Sequence, residues 1–188
     1  SENCIYKSTN GGINWNSIYC GRTSDIFMCS PMVMYNTNSS SLPPYTQGVA
    51  KTTNGGYNWV GLFSTDPNSL GNIFFYDEIT GWVSNYIDKL YVTYNGSSFS
   101  TIILPTSISG NKAIYFINQN TGFFISSSKS LYKSTNKGFT WAQWGVPDLN
   151  LLNYTFTDSL TGYISGYAGS SSVPGLIKKT TNGGANWT

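Results

Sequence analysis

Apolar and aromatic residues come in short runs along this chain, each cut off by a cluster of Ser, Thr, Asn and Gly. Short runs bounded by turn residues read as strands, and no 3.6-residue period marks a helix. The stretch 113–144 shows the pattern most clearly. Ala113 to Ile117 reads as a strand buried on both faces, Asn118 to Gly122 as a turn, and Phe123 to Ser126 as a second strand. A loop over Ser127–Ser130, a third strand over Leu131–Ser134, a turn at Asn136–Gly138 and a fourth strand over Phe139–Trp144 complete a four-stranded meander. The same order opens at Ile73–Tyr76, with a turn at Asp77–Gly81, and at Tyr154–Phe156, with a turn at Asp158–Gly162. An earlier unit, beginning at Ile26-Phe27-Met28, is poorer, with Ser30-Pro31 where the Thr-Gly turn should stand.

The turn before each fourth strand carries a repeated phrase, Ser/Thr-x-Asn-x-Gly-x-Asn/Thr-Trp, here called the box. It occupies Ser8–Trp15, Thr52–Trp59, Ser134–Trp141 and Thr180–Trp187, with a worn copy at Thr93–Ser97. The box asparagines at 10, 54, 95, 136 and 182 are spaced by 44, 41, 41 and 46 residues. Strand-rich repeats of roughly 40–45 residues with Gly and aromatic signals predict an all-β β-propeller of four-stranded antiparallel blades. The expected divisions are a half blade at 1–23, blades at 24–64, 65–105 and 106–145, and a blade at 146–188 lacking its last strand. These four and a half blades read as part of a larger closed propeller of about six to eight. Asn accepts backbone N–H bonds in turns, and Gly supplies positive φ without steric cost. Trp can cover the turn with a large apolar face. Asn10, Gly12, Trp15, Asn54, Gly56, Trp59, Asn136, Gly138, Trp141, Asn182, Gly184 and Trp187 are therefore expected to make the fold. Hard cations want several carboxylates where these turns offer one amide, so no metal site is expected in them.

Composition narrows the function. Charged residues make up 10% of the chain, the net charge is +2, and Arg22 is the only arginine. Duplex binding needs clustered Lys and Arg, so nucleic acid is not an expected partner. No apolar run approaches the ~18–20 residues of a membrane helix, and membrane insertion is not expected. With no His and no Cys-x-x-Cys, neither a zinc site nor a Ser-His-Asp or Cys-His mechanism has its parts. No cofactor is expected. Cys4 and Cys20 flank the first box almost symmetrically, facing each other if it closes a hairpin, and paired strands bring such positions within disulfide reach. Cys20–Cys29 is the competing bridge, and three small buried hydrophobes the remaining reading. Low charge, abundant Ser/Asn/Thr and a potential disulfide place the chain in a secreted or cell-surface setting, extracellular or periplasmic in a bacterium.

The box, with Asn for the usual Asp, resembles the Asp-box or BNR repeat. The accompanying phrases Asp77-Glu78-Ile79-Thr80-Gly81-Trp82 and Asp158-Ser159-Leu160-Thr161-Gly162-Tyr163 resemble propellers related to the photosystem II assembly and stability factor, found in secreted bacterial proteins. The resemblance covers essentially the whole chain. It implies that box and Thr-Gly turns share one face of the disc, and that binding sites lie on the other. Sialidases and xyloglucan-cleaving hydrolases carry such repeats too. Sialidase chemistry needs three arginines, and glycoside cleavage generally needs two opposed carboxylates. Of Glu2, Asp25, Asp66, Asp77, Glu78, Asp88, Asp148 and Asp158, only Asp66, Asp88 and Asp148 fall on expected binding-face loops. Those loops, Asn36–Gly48, Leu62–Asn72, Pro105–Lys112 and Tyr167–Gly175, mix Ser, Asn, Gly and Tyr as contact surfaces do. Tyr35, Tyr45, Tyr86, Trp144 and Tyr167 are the expected anchors for a protein or carbohydrate. The expectation is thus a non-catalytic module for adhesion, assembly or protein contact. The alternatives are a fragment of a secreted glycan-active enzyme with catalytic residues elsewhere, and a lumenal or periplasmic assembly factor.

Overall fold

A computed structural model of the chain describes residues 4–21, 23–38, 48–64, 70–104, 113–126, 128–144, 150–169 and 174–188. Among them lie seventeen strands and no helix. β1 (Cys4–Lys7) pairs with β2 (Asn16–Cys20). β3 (Thr23–Met28), β4 (Met34–Asn38), β5 (Gly48–Thr52) and β6 (Val60–Ser64) form a sheet in chain order. So do β7 (Leu70–Phe75), β8 (Gly81–Asn85), β9 (Lys89–Thr93) and β10 (Ser100–Ile103). The next sheet holds β11 (Ala113–Phe116), β12 (Gly122–Ile125), β13 (Leu131–Ser134) and β14 (Ala142–Gln143), and the last holds β15 (Asn150–Phe156), β16 (Gly162–Tyr167) and β17 (Leu176–Thr180). The residues fall into two compact units, Ser1–Tyr86 with Tyr91–Thr101, and Ile87–Leu90 with Ile102–Thr188.

One expectation on strand limits is corrected. β14 covers only Ala142–Gln143 rather than Phe139–Trp144, because Thr140 N–H donates to the Asn136 side chain and the box turn keeps those residues. The unit beginning at Ile26 is a full four-stranded sheet despite its weak turn. Ser30 does there what Asp77, Asn118 and Asp158 do elsewhere: its hydroxyl accepts the Val33 N–H, just as Asp77, Asn118 and Asp158 accept the N–H groups of Thr80, Thr121 and Thr161.

The glycine of each Thr-Gly turn answers to packing rather than to turn geometry. Gly81, Gly122 and Gly162 sit opposite Phe75, Phe116 and Phe156 in the ladders. A Cβ on any of them would lie 2.4–2.6 Å from that ring. The phenyl group therefore lies flat across the first residue of the second strand, and only glycine leaves the room.

Each unit has its own apolar core. In the first, Tyr35, Val49, Leu70, Phe75, Val83 and Tyr91 cluster, with Tyr35 stacked on Phe75 at 3.7 Å between ring centres. In the second, Phe123, Leu131, Leu151, Phe156, Ile164 and Trp187 cluster, with Phe123 stacked on Phe156 at 4.5 Å. Offset-stacked aromatic pairs add ~0.5–1.5 kcal/mol beyond the area they bury.

Candidate functional site

The box residues come together around a hydroxyl. In the second box, Thr52 Oγ1 accepts the N–H groups of Gly56 (3.0 Å) and Asn54 (3.3 Å) and donates to Asn54 Oδ1 (2.9 Å), which in turn accepts the Asn58 N–H (2.9 Å). Ser8, Ser134 and Thr180 hold their boxes the same way. The worn copy keeps the arrangement one residue tighter, Thr93 accepting from Gly96 at 3.0 Å. Phe99 stands where the others have Trp and packs on the core of the first unit. The hub Ser/Thr was written in the box pattern but not among the expected fold-making positions. Its signal was its place at the end of the third strand, where Thr52, Thr93, Ser134 and Thr180 are all buried. Trp15 and Trp59 donate their indole N–H to Gly12 and Gly56 carbonyls, whereas Trp141 packs edge-on against Phe124 at 4.5 Å. Replacing Thr52 by alanine strands the buried Gly56 N–H and the part-buried Asn54 N–H, so Thr52→Ala is expected to lose about 1–3 kcal/mol in a urea melt, with Thr52→Ser retaining most of it.

Four of the five expected anchors lie among the described residues. Tyr35 is corrected outright: it is fully buried, its ring lies on Phe75, and its hydroxyl donates to the Glu78 and Gly96 carbonyls. Trp144 is half-buried, under the Lys133 ammonium at 4.1 Å and against Gly184, in a packing position. Tyr167 is half-buried and paired with Lys129, whose ammonium meets both its hydroxyl and its ring face. Tyr86 is exposed on the β8–β9 turn beside Ile87. Tyr45 lies outside the described residues, as does most of the four expected binding loops.

Sequence reasoning passed over the free position of the box, between its Gly and its second Asn or Thr. Ile13, Tyr57 and Phe139 occupy it and are all exposed. Met32, Ile79 and Leu160 project from the Thr-Gly turns, also exposed. Within a sheet the two turns are tied together, the N–H groups of Gly55 and Gly183 donating to Met32 and Leu160 carbonyls. In the first unit a groove of 390 Å³ opens beside them, lined by Lys7, Thr9, Asn16, Ser17, Ile18 and Tyr57 among others.

Glu2, Asp66 and Asp148 lie outside the described residues, and of the five described carboxylates Asp25, Asp77 and Asp158 are engaged with backbone. Asp25 accepts the N–H groups of Ile26 and Ile73. Asp77 and Asp158 each accept two N–H groups of their own turns, and those bonds hold the Asp158 carboxyl below the usual range. Among the described residues no cluster of His, Cys, Asp or Glu could hold a metal ion. Cys4 and Cys20 are opposite in the β1–β2 ladder and joined as a disulfide; Cys29 is a free thiol. Burial, with Glu78 nearby, pushes the Cys29 thiol up to about 12. The unfolded chain releases this proton from about pH 9 upward and the folded chain holds it to about pH 12. Stability is therefore expected to fall across that window, and replacing Cys29 by alanine should flatten the slope of alkaline melts.

No family model matches the chain, and no curated protein sequence matches it. Among solved structures it is similar to an ancestral GH74 enzyme, with a TM-score of 0.72 and 19% identity over 97% of this chain and 28% of that one. It is similar to the GH74 enzyme of Niastella koreensis, with a TM-score of 0.73 and 14% identity over 100% of this chain and 34% of that one. It is also similar to YCF48 bound to D1 peptide, with a TM-score of 0.63 and 15% identity over 89% of this chain and 52% of that one. The fold is that of a β-propeller. The chain spans between 28% and 52% of the lengths of these three proteins. At these identities the likeness speaks to fold alone.

Proposed function

We propose that this chain is a non-catalytic Asp-box propeller segment acting in protein contact, adhesion or assembly outside the cytoplasm. The observation that carries this reading is the fate of the carboxylates: Asp25, Asp77 and Asp158 are bonded to backbone N–H groups that shape strands and turns. General acid–base cleavage of a glycoside needs a pair aimed at a common bond. The exposed surface instead offers single aromatic and aliphatic tips, Tyr57, Tyr86, Ile13 and Phe139, on a chain with only 10% charged residues. Aromatic tips on low-charge turns suit protein contact. The YCF48 structure, a propeller of similar fold holding a peptide, is consistent with that use.

The GH74 likeness supports a second reading, a fragment of a glycan-active enzyme with its catalytic carboxylates elsewhere. One experiment addresses both. The purified chain incubated with xyloglucan should release no reducing ends, and a glycan array should stay blank while Tyr57→Ser and Tyr86→Ser weaken capture of a peptide selected from a display library. Release of reducing sugar by this chain, abolished in Asp88→Asn, would overturn the non-catalytic reading.

A further inference from the structure

Three of the boxes contain the same run, Thr-Asn-Gly-Gly, at 9–12, 53–56 and 181–184. Asn-Gly is the dipeptide at which a backbone most readily attacks its own side chain, because glycine puts no Cβ in the way. The attacking atom is the glycine nitrogen, which must shed its proton and reach the asparagine Cγ. An N–H held by a buried acceptor is out of use until the turn opens.

The fold treats these identical runs differently. The Gly55 N–H donates to the Met32 carbonyl (2.9 Å) and the Gly183 N–H to the Leu160 carbonyl (2.8 Å), and both glycines are buried. The other two boxes are closed as well, the Lys137 N–H donating to the Asn120 carbonyl and the Gly96 N–H to the Thr93 hydroxyl. The Gly11 N–H meets no acceptor among the described residues, and Asn10 and Gly11 are both exposed. A Cβ built on Gly11 would touch nothing within 4 Å, whereas one on Gly55 would lie 3.0 Å from the Lys7 ammonium and one on Gly183 3.1 Å from the Ser159 carbonyl. The asparagine side chains are held alike: Asn10, Asn54 and Asn182 each accept at Oδ1 the N–H of the residue four positions on, at 2.9 Å. The difference lies at the attacking nitrogen.

We propose that Asn10 is a site of spontaneous deamidation, with water as the co-reactant. The Gly11 nitrogen bonds to Asn10 Cγ, the Cγ–Nδ2 bond breaks, and the nitrogen's proton leaves with ammonia, giving a cyclic imide. Water then opens the imide at either carbonyl, to aspartate or to isoaspartate. Nothing is oxidised or reduced, and the added carboxylate lowers the net charge of +2 by one. The two products differ in effect. Aspartate keeps an oxygen where Asn10 Oδ1 accepted the Ser8 hydroxyl and the Asn14 N–H. Isoaspartate runs the main chain through Cγ, so that oxygen becomes a peptide carbonyl and the Ser8 hub loses its partner. Neither outcome depends on what the module contacts.

The test incubates the intact chain at mildly alkaline pH and follows the three sites by peptide mass spectrometry, with isoaspartate separated chromatographically. In the folded chain Asn10 should convert roughly tenfold faster than Asn54 or Asn182, which wait for a turn hydrogen bond to open. In urea the three should convert at one rate. Gly11→Lys gives the first box the lysine that the third already carries, Lys137 at a φ of 63° against 70° for Gly11. Its side chain crowds the attacking nitrogen, so conversion at Asn10 should fall to the rate of Asn54 or below. Asn10 keeping pace with Asn54 and Asn182 in the folded chain would overturn the proposal. So would a lead for Asn10 that persists in urea, or one that survives Gly11→Lys. The isoaspartate form should exchange its Gly12 amide faster than the unmodified chain, and unchanged exchange there would overturn the assigned loss of the hub.

Discussion

Phe123→Ala is expected to destabilise the second unit by about 3–5 kcal/mol, the range for removing a fully buried aromatic ring. The ring is 0% exposed and lies between Phe156 and the Lys133 ammonium, and the Tyr154 hydroxyl donates to the Phe123 backbone carbonyl. That hydrogen bond survives the substitution, so the loss reports packing rather than polar contact. Phe123→Leu restores part of the volume without the stacked face and should fall between alanine and wild type. Urea melts by tryptophan fluorescence would measure both, since Trp144 and Trp187 lie in or against the same core. A loss under 1 kcal/mol for alanine would mean that the stacked pairs do not hold adjacent sheets together.

Reduction of Cys4–Cys20 is expected to remove up to about 3 kcal/mol, the value for a closed loop of this size. The bridge joins residues 16 apart and clamps a two-stranded sheet that has no fully buried residue in either strand. Two-stranded pairings are marginal in water without such a clamp. The effect should be local. Amide exchange in β1 and β2 should accelerate on reduction, and the Lys7 hydrogen bonds to Pro31 and Gly55 should loosen with it. Exchange in β11–β13 should not change. Equal acceleration throughout the chain would show that the hairpin is not a separate weak point.

Reading the chain from sequence succeeded where repetition made weak local signals mutually consistent. Box spacing gave the sheet count, and the Asn-Gly turns gave strand order. The half of the ladder between Cys4 and Cys20 followed from symmetry about Gly11-Gly12. Side-chain destinations were harder to read. Tyr35 looked like a loop-edge aromatic because nothing in its own stretch shows the carbonyls of Glu78 and Gly96, 43 and 61 residues away, that its hydroxyl reaches. Gly81, Gly122 and Gly162 looked like turn residues because the ring pressing on each belongs to the preceding strand. The exposed tips Ile13, Tyr57 and Phe139 were passed over because the box was read for its invariant letters, and the variable letter is the one the turn pushes into solvent.

The central claim is that the boxes are staples organised around a Ser or Thr hydroxyl. Native-state amide exchange at the hub-bound glycines tests it most directly. Gly56, Gly96, Gly138 and Gly184, whose N–H groups donate to those hydroxyls at 2.9–3.0 Å in buried settings, should exchange far more slowly than the exposed residues beside them. Gly12, on the more open Ser8 hub, should be the fastest of the set. Exchange of all five at the rate of free loop amides would contradict the account.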